Sequence, residues 1–218
     1  YYTMELLEGS DMRELSPLPV RQACRYLRDV ASSLALLHAR RLLHRDVSPR
    51  NVRALDDGRC KLIDFGALAS FGTSEELVGT PPAIPPEALS GQALDRRADF
   101  YSLGALAYFM LTGRQAYPAR SVSALPDTWL VPPAAPSRYA ADVPPELDRL
   151  VLSLLSLDVL ARPSSAAEVI EQLQVIGGLE PERDQHTAQS YFAFATLVEH
   201  AGYGARSGYL VSPTAGGG

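Results

Sequence analysis

Apolar positions along the chain follow two helical periodicities and one strand-like alternation. Between residues 19 and 40, Ala23, Leu27, Val30, Ala31, Leu34 and Leu37 recur at steps of three and four, with Arg21, Arg25, Arg28 and Asp29 on other faces. That spacing predicts one long amphipathic helix whose stripe belongs to the core. From Ala98 to Leu111 the pattern changes: Leu103, Leu106, Ala107, Met110 and Leu111 make the segment apolar all round, as a fully buried helix requires. Between these two lie Val52–Leu55 and Cys60–Ile63, short strand-like runs joined by Asp56-Asp57-Gly58, the signature of a hairpin with an Asp-Gly turn.

Weaker signals fill the remainder. Residues 1–9 read as a strand ending in a turn, and Asp11 and Glu14 stand at the spacing of a helix capping box. Residues 117–145 are Pro-rich and hold the single tryptophan, so we expect a surface excursion with about one helical turn and Trp129 as its local anchor. Pro144-Pro145-Glu146 starts a helix to about Leu155, because Pro is tolerated in a first turn, and Ser164 is placed to cap a last helix through Val175. The fold class is α+β, mainly helical, with a short β-hairpin.

Length and composition narrow the function. The 218 residues suit one domain, 1–176, followed after Gly177-Gly178 by an extension, 177–218. The extension reads as a short helix around Tyr191, Phe192 and Leu197 and then a disordered Gly-rich tail. Gly202-Tyr203-Gly204-Ala205-Arg206-Ser207-Gly208 is one residue too long for a dinucleotide fingerprint and lacks the Lys-Ser/Thr of a P-loop. A net charge of −5 gives no electrostatic case for nucleic acid. No apolar run suggests a membrane span or a leader, so the expected location is cytoplasmic, where Cys24 and Cys60 stay reduced and buried.

The chemistry concentrates in His44-Arg45-Asp46-Val47-Ser48-Pro49-Arg50-Asn51 and, thirteen positions after Asn51, Asp64-Phe65-Gly66. One carboxylate and one carboxamide share a loop, and a second carboxylate follows the hairpin. Asp46 can orient a hydroxyl and accept its proton, while Asn51 and Asp64 offer the hard oxygen ligands that Mg²⁺ prefers.

These motifs, with Gly79-Thr80-Pro81 leading to Pro85-Pro86-Glu87, Asp99-Phe100-Tyr101-Ser102-Leu103-Gly104 and Arg162-Pro163, resemble the large lobe of eukaryotic-type, bacterial serine/threonine protein kinases. The resemblance implies ATP and Mg²⁺ as cofactors, a protein substrate, Asp46 as base, and Asn51 and Asp64 as metal ligands. It puts Met4 at the gatekeeper position and the backbones of Glu5 and Leu7 on adenine. Asp11 is either the ribose contact or a plain N-cap. Arg53 stands where the family has an aliphatic floor beneath adenine. Ser48 replaces the lysine that neutralises the transferring phosphate, and Arg50 either recovers that charge or is a surface residue. Thr80 is expected to bond Asp46, Asp99 to bond the loop backbone, Arg45 to touch the activation segment, His44 to pack, and Glu87 to pair with Arg162. Ser70, Thr73 and Ser74 are phosphosite candidates. The family's small lobe has no counterpart in these residues, so the chain alone is expected to be nearly inactive, with a partner covering its lobe-facing surface. A pseudokinase or interaction module and a small-molecule phosphotransferase are the alternatives.

Overall fold

The computed structural model describes residues 9–73 and 77–180, all within one compact unit, Tyr1–Glu180. The expected helix around Tyr191 and the Gly-rich tail lie outside the described residues. Seven helices are described: α1 (Met12–Leu15), α2 (Val20–Ala39), α3 (Pro86–Leu89), α4 (Arg96–Thr112), α5 (Leu125–Trp129), α6 (Pro145–Leu154) and α7 (Ala166–Gly177). Two antiparallel pairs accompany them. β2 (Val52–Ala54) pairs with β3 (Cys60–Leu62) in the expected hairpin, and β1 (Leu42–Leu43) pairs with β4 (Ala69–Ser70) across the intervening loop.

The core is built around α4. Its buried residues include Phe100, Tyr101, Leu103, Leu106, Met110 and Leu111, which leaves no solvent-facing stripe. Helix α2 lies against α4, β3 and α7, burying Ala23, Leu27, Val30, Ala31, Leu34 and Leu37, the residues its periodicity selected. Helix α6 packs on α4 at Gly104, where an added Cβ would sit 2.7 Å from the Leu154 Cβ, so only glycine permits this approach.

Several boundaries differ from the sequence expectation. The central helix starts at Arg96, two residues earlier, because the Asp95 carboxylate accepts the Arg97 N–H and supplies an N-cap. The cap of α7 is Ser165 rather than Ser164: the Ser165 hydroxyl accepts the Glu168 N–H, and the Glu168 carboxylate takes the Ser164 N–H. The cap is therefore shifted by one residue, and α7 runs on to Gly177 until Gly178, at φ 55°, turns the chain left-handed. At Asp11 no capping box forms, since its carboxylate receives Arg13 and not Glu14. The 117–145 stretch holds more than one helical turn: 3₁₀ turns at Val122–Ala124 and Pro136–Arg138 flank α5. Trp129 anchors it, packing beside Ile84, Ala119 and Leu125 and donating its indole N–H to the Tyr101 hydroxyl at 3.0 Å. Cys24 and Cys60 are both buried and free.

One buried ion pair ties the two ends of the helical region together. Arg162 donates to both Glu87 carboxylate oxygens at 2.6 and 2.9 Å, with side-chain exposures of 0% and 5%. Two further guanidinium hydrogens reach the carbonyls of Ser156 and Arg97. Removing one partner strands a charge in a dry site, which costs about 3–5 kcal/mol. Accordingly, Arg162→Met should lower stability by that amount in urea unfolding, and the double variant Glu87→Leu/Arg162→Met should recover part of it. Equal stability of Arg162→Met and the native chain would show that the pair is dispensable.

Candidate active site

The catalytic loop gets its shape from below. β1 delivers the chain to His44 and Arg45, whose N–H groups donate to the two carboxylate oxygens of Asp99 at 3.0 and 2.9 Å. Asp99 is wholly buried on α4. Held by this clamp, Arg45 adopts φ 66°, a left-handed conformation that a long side chain seldom takes, and the turn brings Asp46 to the cleft. The Arg45 side chain then donates to the Ala67 carbonyl at 2.6 Å, so the activation segment is bonded to the loop as expected. His44 is fully buried: its Nδ1 accepts the Asp46 N–H and its Nε2 faces the Ile63 carbonyl at 3.3 Å. Burial, the largest influence, holds this imidazole below its usual range against the pull of nearby carboxylates, so it stays a neutral packing element.

Asp46 is the best-bonded carboxylate in the site. Oδ1 accepts the Thr80 backbone N–H at 3.0 Å and the Thr80 hydroxyl at 2.9 Å. Oδ2 accepts Asn51 Nδ2 and Arg50 Nη2, each at 2.8 Å. Thr80 can come this close because Gly79 has φ 120°, and a Cβ there would stand 2.8 Å from the Arg45 carbonyl oxygen. Burial would raise the Asp46 carboxyl, but the bonds from Arg50, Thr80 and Asn51 outweigh it and hold the group below the ordinary carboxylate range. It is therefore ionised at neutral pH.

Asn51 and Asp64 are brought together by the hairpin. The Ile63 N–H donates to the Asn51 carbonyl at 2.9 Å, continuing the β2–β3 ladder, so Asp64 leaves the hairpin beside Asn51. Both hydrogens of the Asn51 amide are directed at Asp46, one to its carbonyl at 2.9 Å and one to its carboxylate, which leaves Oδ1 as the acceptor atom. Asp64 is exposed, has φ 62°, and among the described residues receives the Gly66 N–H at 3.2 Å. Phe65 is seated edge-on against the His44 ring at 5.3 Å, which fixes the turn. A carboxamide oxygen and an exposed carboxylate, both hard donors, fit Mg²⁺ that keeps water and phosphate as its other ligands.

At the nucleotide end the assignments are mixed. Met4, Glu5 and Leu7 lie outside the described residues. Asp11 caps α1 and is also held by the Arg13 guanidinium, at 2.6 Å in the shortest contact, which keeps its carboxyl below the usual range. Both Asp11 oxygens are thus engaged by Arg13, and a ribose would have to displace that side chain. Arg53 sits on β2 and donates to the Gly9 carbonyl at 2.8 Å, tying the guanidinium to the segment that enters α1. Ser48 is 1% exposed, and its hydroxyl has no partner among the described residues. Ser70 and Thr73 are exposed on the activation segment, and Ser74 is outside the described residues.

His38 escaped the sequence reading. Its Nε2 lies 2.8 Å from Asp99 Oδ2, so it joins the clamp beneath the loop. The signal was its place four residues after Leu34, where it continues the buried stripe of α2.

Residues 1–174 match the protein kinase domain. The chain belongs to that family. Among similar proteins are the serine/threonine-protein kinases PknB of Mycolicibacterium smegmatis, 33% identical over 195 residues, and PknL of Mycobacterium tuberculosis, 35% identical over 188 residues. The first match covers 84% of this chain and 31% of PknB, the second 81% of this chain and 47% of PknL. Serine/threonine-protein kinase pkn2 of Myxococcus xanthus is 32% identical over 197 residues, which cover 78% of this chain and 22% of that protein. The chain thus spans between a fifth and a half of the length of these relatives. No described helix is long and apolar enough to cross a membrane.

The lowered pKa of Asp46 has a measurable consequence. A carboxyl whose folded value lies below its unfolded one adds stability that is present above the ordinary value of 3.8 and is lost as pH falls through the folded value. The native chain should therefore be more stable than Asp46→Asn at about pH 7, and the gap should narrow at about pH 3. Urea midpoints at the two pH values measure this; a gap that widens on acidification would contradict the bonding described.

Proposed function

We propose that this chain carries the base and metal ligands for transfer of the ATP γ-phosphoryl group to a serine or threonine hydroxyl of a protein substrate. The observation that supports this most is the distribution of donors around Asp46. Oδ1 is locked by two bonds from Thr80, and Asn51 is buried. Of the partners on Oδ2, only Arg50 has a largely exposed side chain, at 53%. An incoming hydroxyl takes the place of Arg50 on Oδ2, and the released guanidinium turns to the phosphate oxygens. In this way Arg50 supplies the charge that Ser48 does not, as a planar fork suited to phosphate.

Asp46 acts by positioning. Phosphoryl transfer passes through a loose transition state in which little proton transfer is needed early, so a weakly basic carboxylate that aligns the hydroxyl and accepts its proton late is sufficient. Thr80, by fixing Oδ1, sets which face of the carboxylate the hydroxyl meets. Mg²⁺ held by Asn51 and Asp64 would neutralise charge on the phosphate chain. Arg53, tied to Gly9, offers its guanidinium plane to the purine, and Asp11 is available to the ribose once Arg13 moves.

The 218 residues hold no Gly-rich loop followed by a lysine-bearing strand, the parts that cover and grip the phosphates in this family. These residues by themselves are therefore expected to transfer phosphate slowly. The pseudokinase reading is favoured by a different observation, the engagement of two of the three candidate carboxylates by arginines, Asp46 by Arg50 and Asp11 by Arg13.

Transfer of labelled phosphate from Mg²⁺-ATP to a serine peptide tests the two. On the enzyme reading the native chain labels the peptide slowly, Asp46→Asn reduces labelling by about a hundredfold or more, and Arg50→Ala by about tenfold. Adding Ser48→Lys to Arg50→Ala should restore part of that loss. Labelling that Asp46→Asn leaves unchanged would remove Asp46 as base, and no labelling even when a small lobe is supplied in trans would favour the pseudokinase.

A further inference from the structure

We propose that Arg13 is a specificity-determining residue of the nucleotide end: held on Asp11, it occupies the carboxylate that would read the sugar hydroxyls, so the cleft scarcely distinguishes ATP from 2′,3′-dideoxy-ATP. This rests on the reading of the cleft as an ATP site and concerns which parts of ATP are recognised there. The backbone fixes where a sugar would lie. Residues 9–11 run beside β2: the Ala54 N–H donates to the Ser10 carbonyl at 2.9 Å, Asp11 and Arg53 face each other as an antiparallel bridge, and Arg53 Nη1 donates to the Gly9 carbonyl at 2.8 Å. A Cβ on Gly9 would collide with the Ala54 carbonyl, so this approach admits glycine alone. Asn51 stands immediately before β2, two residues ahead of Arg53, which is about 6–7 Å along an extended chain. A nucleotide with its phosphates at Asn51 and Asp64 therefore brings its sugar to Asp11 and Arg53.

At that place the carboxylate is already engaged. Asp11 Oδ1 accepts the Arg13 backbone N–H at 2.8 Å and Nε at 3.2 Å, and Oδ2 accepts Nε at 3.1 Å and Nη2 at 2.6 Å. The Asp11 side chain is 7% exposed beneath an arginine that is itself 63% exposed. A sugar hydroxyl reaches these oxygens only by expelling the guanidinium, which trades a charge-assisted fork for a neutral donor. The hydroxyl thus gains little, and a sugar without hydroxyls, which leaves the fork in place, loses little. The arrangement is also local. Arg13 is joined to its second neighbour in the chain and lies mostly in water, so shortening it exposes Asp11 without opening the core.

NMR titration of the full chain tests this, since it reads weak and tight binding alike. Mg²⁺-ATP and Mg²⁺-2′,3′-dideoxy-ATP should bind the native chain with dissociation constants within about twofold of each other. In Arg13→Ala, where the backbone N–H of residue 13 still caps α1, ATP should bind about fivefold tighter than the dideoxy nucleotide. Asp11→Asn/Arg13→Ala, which keeps a capping side chain, should lose most of that preference. A second readout needs no nucleotide: by carboxyl carbon-13 titration Asp11 should ionise below the ordinary 3.8 in the native chain and closer to it in Arg13→Ala. A native preference for ATP of about fivefold or more, an unchanged ratio in Arg13→Ala, or an Asp11 titration that the substitution leaves in place would each overturn the proposal while nucleotide binding stands. Absence of any nucleotide-dependent shift at Asn51 and Asp64 in both chains would overturn the ATP-site reading itself, and this proposal with it.

Discussion

A buried carboxylate beneath a strained turn is the constraint on which the site depends. Asp99 has no solvent to satisfy it, so its oxygens must be matched by protein donors, and the nearest are two consecutive backbone amides and one imidazole. In the extended chain that leaves β1, consecutive amides would point to opposite sides, so turning both onto one carboxylate requires a departure from that geometry. The left-handed Arg45 is that departure. Its cost, of order 1–3 kcal/mol, is offset because leaving Asp99 unbonded would cost at least as much. The apolar all-round character of α4 thus has a chemical purpose: it buries Asp99 deeply enough that the loop above has one stable shape.

From this turn the rest of the cleft is assembled by short links. Asp46 is set by Arg45, Asn51 by its two bonds to Asp46, and Asp64 by the ladder bond from Ile63 to Asn51 and by Phe65 on His44. The activation segment enters twice, through Ala67 on the Arg45 side chain and Thr80 on Asp46. Its two ends are therefore bonded to adjacent residues of one loop, and a displacement of either end must disturb Asp46. A buried Glu87–Arg162 pair then fastens the far end of the segment to the start of α7.

Most of the site was legible in sequence because its residues act at fixed separations along the chain. His44 to Asn51 lie on one loop, and Asp64 is one hairpin away, so their order carried their geometry. The helices α2 and α4 were legible for a related reason, since long periodic runs report their own burial. What was hidden depended on partners remote in sequence. His38 reads as a core histidine until Asp99, sixty-one positions later, is seen against it. The engagement of Asp11 by Arg13 and the tether from Arg53 to Gly9 were missed for a different reason: i+2 contacts and side-chain-to-carbonyl bonds leave no periodic trace. The cap at Asp95 was not seen and the cap of α7 was placed one residue early, because neighbouring serines and acids offer several equivalent registers and only the backbone chooses among them.

The same view explains why arginine and not lysine fits the vacated phosphate position. Lys61 is the single lysine among the twenty basic residues that are not histidine, so nearly all cationic work in the chain falls to guanidinium groups. A lysine at Ser48 would root its stem in a position that is 1% exposed, where part of the ammonium's hydration is lost. A guanidinium at Arg50 avoids that penalty, because Asp46 neutralises it at 2.8 Å while more than half of its side chain remains in water. The pairing is therefore a resting position for both charges. On the transfer we propose, a phosphate group with more negative charge would arrive as a hydroxyl takes over the bond to Oδ2, and the planar fork would turn to the phosphate without a bare charge appearing at either end.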